Sequence, residues 1–196
     1  MHRTLPWVLI AVLLIAFVAS FSELQRIRKR FGEVTRQTVH DHQEVRQFII
    51  RADLAGGDGP IVIVGDSITE MARFPDRISG KRVVNAGIGG ATILDYVVRA
   101  PKIFDGSKPS LIVVAIGAND TGSKTKERDF SALLSVLKTY APLLVVDIPN
   151  GHTIDGIHPT QEASRLWVES VVDAIELDKA DDLRKDDRRL QNAEGG

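Results

Sequence analysis

The chain has 196 residues, with 25 Lys and Arg against 26 Asp and Glu, and a formal net charge of −1. Once an apolar N-terminal run and two polar flanks are set aside, that length leaves roughly 120 residues, enough for one globular core. A near-zero charge without a long basic patch gives no support for nucleic-acid binding, and the lack of cysteine excludes a disulfide framework and a cysteine-ligated zinc site.

Residues 5–21 are apolar apart from Pro6 and Ser20, with Arg3 before them and Arg26, Arg28, Lys29 and Arg30 after. At about 17 residues the run is short for a membrane-spanning helix yet longer than the roughly 7 to 15 of a cleaved signal core. It predicts a single-pass anchor over 1–22, although Val18-Ala19-Ser20 would also suit signal cleavage. By itself the downstream basic cluster favours a cytoplasmic body. Residues 23–55 are highly charged and lack proline, with Gly32 the only breaker before Gly56-Gly57, which predicts a long helical stalk. Leu24, Ile27, Phe31, Val34, Thr38, Asp41, Val45 and Phe48 recur there at alternating three- and four-residue steps, a heptad seam suited to a homo-oligomer. The competing expectation is that the last turns, around Val45, Phe48 and Ile49, pack on the globular part. His40 and His42 on this stretch read as solvated surface residues, since no carboxylate pattern completes a metal site.

After the linker Ala55-Gly56-Gly57-Asp58-Gly59-Pro60, apolar runs alternate with helical patterns. Strands are predicted at 61–64, 83–84, 111–116 and 143–148, and the alternation means a parallel sheet in an α/β fold. Helices are predicted after Ser67, over 93–103, and over 127–140, where Phe130, Leu133, Leu134 and Leu137 make one apolar face. The last helix runs from the N-cap Thr160 to about 177, with Leu166, Trp167, Val171, Val172 and Ile175 as its core-facing stripe. Beyond it, residues 179–196 mix both signs of charge and read as a disordered polar tail.

Four segments carry chemistry. Ile61-Val62-Ile63-Val64-Gly65-Asp66-Ser67-Ile68 is a β-branched run ending in a turn that presents a serine at the strand's carboxyl end, where open parallel sheets collect ligands. Asn85-Ala86-Gly87-Ile88-Gly89-Gly90 follows a second strand, and its glycines let bare N–H groups approach a ligand. In Gly117-Ala118-Asn119-Asp120, after the third strand, the Asn119 amide is a further donor. Asp155-Gly156-Ile157-His158-Pro159 sets a carboxylate and an imidazole three residues apart, a base and its orienting partner. Asp66 and Asp120 flank the reacting positions and are expected to organise the turns by hydrogen bonding.

With these four blocks in order, the chain resembles the SGNH hydrolase superfamily of GDSL-like esterases and lipases between about Ile61 and Trp167. The resemblance implies a flavodoxin-like three-layer sandwich over 56–178, with Ser67 as nucleophile, His158 as general base and acid, and Asp155 as third triad member. It implies an oxyanion hole of the Ser67 N–H, the Gly90 N–H and the Asn119 side-chain amide. Gly90 is preferred to Gly87 and Gly89 because the family's glycine precedes a small or acidic residue and a threonine, here Ala91-Thr92. One departure stands out, since members usually place another helix and strand before the Asp-x-x-His block. Here Asp147-Ile148-Pro149-Asn150 leads almost at once to Asp155, so a sheet of about four strands is expected, with part of the pocket wall missing.

No G-x-S-x-G elbow surrounds Ser67, which disfavours an α/β-hydrolase, and Gly87-Ile88-Gly89-Gly90 lacks the offsets of a dinucleotide loop. The reading is therefore a serine ester hydrolase that needs no metal or organic cofactor. Its expected partners are a small acyl ester, such as an O-acetyl saccharide or a short-chain lipid ester, and the membrane. The family resemblance places the catalytic domain outside the cytoplasm. Its competitors are a membrane-tethered glycan- or ester-binding module and an O-acyltransferase using the same residues.

Overall fold

The apolar runs assemble into a sheet buried on both faces. The computed structural model describes residues 5–57, 59–149 and 151–194. Its strands are β1 (Ile61–Gly65), β2 (Arg77–Ile78), β3 (Lys81–Gly87), β4 (Leu111–Ala115) and β5 (Leu143–Val145), in the order β2-β3-β1-β4-β5. β3, β1, β4 and β5 run parallel, the four strands the sequence predicts, and β1 at the centre pairs Val64 with Ala86 on one side and Val114 on the other. The sequence did not disclose β2, which pairs antiparallel with the start of β3 through a two-residue turn at Ser79-Gly80. Both turn residues have positive φ, 49° and 80°, the twist that closes a tight hairpin. That hairpin and the ladder to β1 also lengthen β3 beyond the predicted 83–84.

Because side chains alternate across a strand, neighbouring residues of β1 enter different cores. Val62 and Val64 pack with Val84, Ile112, Val114, Tyr96, Leu133 and Leu137. Ile61 and Ile63 pack with Val113, Trp167, Val171 and Ile175. The helices are α1 (Leu5–Leu54), α2 (Ser67–Met71), α3 (Ile93–Ile103), α4 (Lys126–Leu137) and α5 (Gln161–Glu194). The first core lies against α3, α4 and the last turns of α1, the second against α2 and α5, giving a three-layer α/β/α sandwich. α3 begins and ends where the sequence places it, fixed by a reciprocal capping box between Thr92 and Asp95.

Three expectations are revised. On α5 the buried stripe is Trp167, Val168, Val171 and Ile175, while Leu166 is exposed, because the face is set by the sheet beneath it and not by apolarity alone. α5 also continues to Glu194 where a disordered tail is expected; residues 178–194 contain neither glycine nor proline, so nothing local stops the helix. On α1 the buried residues are Gln43, Gln47, Ile50 and Leu54, whereas Val45, Phe48 and Ile49 face outward. The buried amides are paired with Arg99, which makes a polar face cheaper to bury than its composition suggests.

Contacts divide the chain into Met1–Asp41 and His42–Gly196, so the last turns of α1 belong with the sheet and not with a stalk reaching to residue 55. In the first unit α1 is long and apolar enough to cross a membrane, and its apolar stretch is unburied. Leu24, Ile27, Phe31 and Val34 of the heptad seam are exposed there too.

Candidate active site

Ser67 is the first residue of α2, directly beyond the carboxyl end of β1. Its position leaves its N–H outside the helix's own hydrogen-bond ladder. Asp66 caps the helix, accepting from the Ile68 N–H through Oδ1 at 3.1 Å. The other oxygen of the fully buried Asp66 accepts from the N–H groups of Gly117 and Ala118 at 3.3 and 3.1 Å, tying the serine turn to the segment that carries Asn119. Asp120 likewise accepts from the Ile93 N–H at 3.1 Å. Both carboxylates organise turns, as their positions in the sequence suggest.

The Ser67 Oγ lies 2.9 Å from His158 Nε2, and His158 Nδ1 lies 2.7 Å from Asp155 Oδ2. An ionised carboxylate only accepts, so Nδ1 carries the proton and Nε2 presents its lone pair to the serine hydroxyl. Asp155 Oδ1 also accepts from the backbone N–H groups of Ile157 and His158, at 3.1 and 2.8 Å. The bond from the His158 ring, helped by those two N–H groups, holds the Asp155 carboxyl well below the usual carboxylate range. Its side chain is nonetheless about half exposed, at 52%, against 31% for His158. The short passage from β5 to this loop explains that exposure, since among the described residues no further parallel strand lies between them.

In the glycine segment, two of three N–H groups are already committed. Gly87 donates to Asn85 Oδ1 at 2.9 Å, and Gly89 donates to Glu70 Oε2. Among the described residues Gly90 donates to no protein acceptor, and its φ of +71° is one that glycine adopts at little cost. Asn119 Nδ2 donates to Ala91 O at 2.9 Å, which fixes the amide beside the Gly90 turn and leaves its second hydrogen available. Gly87 is glycine for a different reason: a Cβ there would stand 2.2 Å from the Glu70 nitrogen, so β3 and α2 could not approach as they do.

Sequence reasoning overlooked Asn85, Glu70, His42, Gln43 and Arg46. Asn85 Nδ2 donates to the carbonyls of Thr69 and Ala72 at 2.7 and 3.2 Å, holding α2 against β3. Glu70 in the first turn of a helix looks like an ordinary partner of the helix dipole, and the α1 residues lie some forty positions from the glycines they touch, so nothing local marks them. His42 is also more than a solvated residue, with Nε2 3.0 Å from Glu70 Oε2. His152 is exposed, and it is His158 that bonds Ser67. Among the described residues no three His, Cys, Asp or Glu side chains cluster as a metal site requires.

The model for GDSL-like lipases and acylhydrolases matches residues 57–150. The segment 57–150 belongs to the SGNH/GDSL superfamily. The chain is a carboxylic ester hydrolase by that membership. The match ends before Asp155 and His158, so the placement of these two in the hydrolase domain rests on the geometry above. Two solved structures share the fold. A protein of Streptococcus pneumonia, provisionally described as a platelet activating factor, is 21% identical, with 72% of this chain and 73% of that one covered and a TM-score of 0.52. A provisionally described acylhydrolase of Bacteroides fragilis is 20% identical, with 64% and 92% covered and a TM-score of 0.50. No curated protein matches the chain. Beside His158 and Asp155 the hydrolase domain opens a cleft of about 1100 Å³, lined on one part by Met71, Phe74, Ile154 and Val168 and on another by Arg73, Glu162, Arg165 and Glu169.

Proposed function

We propose that this esterase acts through an acyl-enzyme on Ser67, with small O-acyl esters of saccharides or short-chain lipid esters as substrates. The observation that carries the reading is the continuous pair of hydrogen bonds from Ser67 through His158 to Asp155. As the Ser67 Oγ bonds to the substrate's carbonyl carbon, its proton passes to His158 Nε2, and Asp155 stabilises the imidazolium without taking the proton. The oxyanion is met by the N–H groups of Ser67 and Gly90 and by the Asn119 amide. Collapse breaks the ester bond, and the leaving alcohol takes the proton from His158. Water then repeats the sequence, releasing the carboxylic acid and restoring the serine hydroxyl. Asp155 is half exposed and the cleft lies beside His158, so water can approach the base from that side. The apolar part of the cleft wall, at Met71, Phe74, Ile154 and Val168, suits a short acyl chain. An unburied N-terminal helix of spanning length supports a membrane-anchored enzyme, and its placement outside the cytoplasm rests on the family resemblance alone.

The test is incubation of the detergent-solubilised protein with a fluorophosphonate and with p-nitrophenyl acetate. Ser67 alone among the serines becomes modified, and Ser67→Ala loses both labelling and turnover. Labelling of a different serine overturns the assignment. An unlabelled Ser67 with no turnover across an ester panel favours the binding module instead.

A further inference from the structure

The peptide between Gly89 and Gly90 has a glycine on both sides, which makes it the easiest in the glycine segment to turn over. It is also the peptide whose N–H serves as an oxyanion donor in the mechanism above. Its carbonyl, Gly89 O, accepts a hydrogen bond at 3.3 Å from Gln43 Nε2 on α1. In a planar trans peptide the C=O and the N–H point in opposite directions, so a donor holding Gly89 O toward α1 aims the Gly90 N–H away from α1.

Gln43 is itself only 5% exposed and is oriented from behind, since its Oε1 accepts from Arg99 Nη2 at 3.0 Å. A guanidinium can only donate and a carbonyl can only accept, which settles which end of the amide faces each. Arg99 is braced in turn by Glu44 and Gln47, at 2.6 and 3.3 Å. Gly89 is held on its other side too, because its N–H donates to Glu70 Oε2, which His42 Nε2 also contacts at 3.0 Å. Arg46 closes the clamp with bonds to Gly87 O and Asn85 O at 2.9 and 2.8 Å.

We infer that Gln43 is a positioning residue for the oxyanion hole, locking the Gly89–Gly90 peptide in the orientation that presents the Gly90 N–H to substrate; the inference rests on the hydrolase reading. α1 is then part of the catalytic architecture as well as a tether.

The experiment uses the full chain in detergent with p-nitrophenyl acetate and a fluorophosphonate. Gln43→Met keeps the length of the side chain and removes the donor. Its kcat falls about tenfold, a fraction of what deleting an oxyanion donor costs, with KM within about twofold and the melting temperature little changed. The rate of Ser67 labelling falls in parallel, because phosphonylation uses the same hole. Should Gln43→Met fail to fold, Arg99→Met leaves Gln43 in place but frees its amide to turn, and shows the same split between kcat and KM. A kcat within twofold of the parent in the folded variant overturns the inference while leaving the hydrolase reading intact. A parent protein that neither labels nor turns over overturns both.

Discussion

Asn119 is proposed to combine two duties in one side chain. One of its amide hydrogens is committed to Ala91 O, fixing the side chain against the Gly90 turn, and the other is available for a substrate oxygen. Asn119→Ala is expected to lower kcat by roughly a hundred- to a thousandfold with little change in KM, measured on p-nitrophenyl acetate. Asp155 predicts a feature of the pH profile. Its folded-state pKa is lowered, so its hydrogen bonds contribute stability above the ordinary carboxylate range, lost only as pH falls through the still lower folded value. Through mildly acidic pH it therefore stays ionised and keeps its hold on the His158 ring, so its own protonation contributes no loss of rate there. His158→Ala should lose more activity than Asp155→Ala on p-nitrophenyl acetate, since one removes the proposed base and the other only the group that orients it. The proposed site residues Ser67, Asp155, His158, Gly90 and Asn119 could be singled out in the sequence because each stands in a short segment whose chemistry is local. Gln43, Arg46 and Glu70 were not, because each is ordinary in its own neighbourhood and acquires meaning only from a partner brought in by the fold.

At the scale of elements, α1 separates what periodicity can and cannot say. The heptad pattern correctly marks a helix, but the apolar seam through Val45 and Phe48 is exposed, and the face against the sheet is the one bearing Gln43, Arg46, Gln47 and Ile50. A burial face is chosen by geometric fit and by pairing of polar groups as well as by apolarity. Ile50→Ala should therefore cost about 2–5 kcal/mol in denaturant unfolding, as for a fully buried aliphatic side chain. Phe48→Ala should leave the stability of the dilute protein within about 0.5 kcal/mol. The exposed seam is where a second copy is proposed to pair, so Phe48→Ala should weaken self-association in sedimentation, and an unchanged distribution of species would remove that proposal. The hairpin of β2 escaped notice for another reason: a two-residue strand has no periodicity to detect.

For the whole molecule, the proposal of a retained anchor predicts that full-length protein resists carbonate extraction and keeps its N-terminal peptide in mass spectrometry. Recovery of a soluble form beginning near Phe21 would establish cleavage instead. A C-terminal alkaline phosphatase fusion reports the side of the membrane, and an expressed but inactive fusion would place the domain in the cytoplasm, as the basic cluster at Arg26 to Arg30 favours. The sequence by itself determined the apolar N-terminal helix, the four parallel strands, and the family's blocks, because hydropathy, strand length and turn residues act over a few neighbouring positions. Only the tertiary structure decided that His158 reaches Ser67 across 91 positions, that among the described residues Gly90 keeps its N–H uncommitted where Gly87 and Gly89 do not, and that Gln43 grips Gly89 O. Those outcomes depend on distances between segments remote in the chain, and a hydrogen bond is settled by tenths of an ångström that no local pattern encodes.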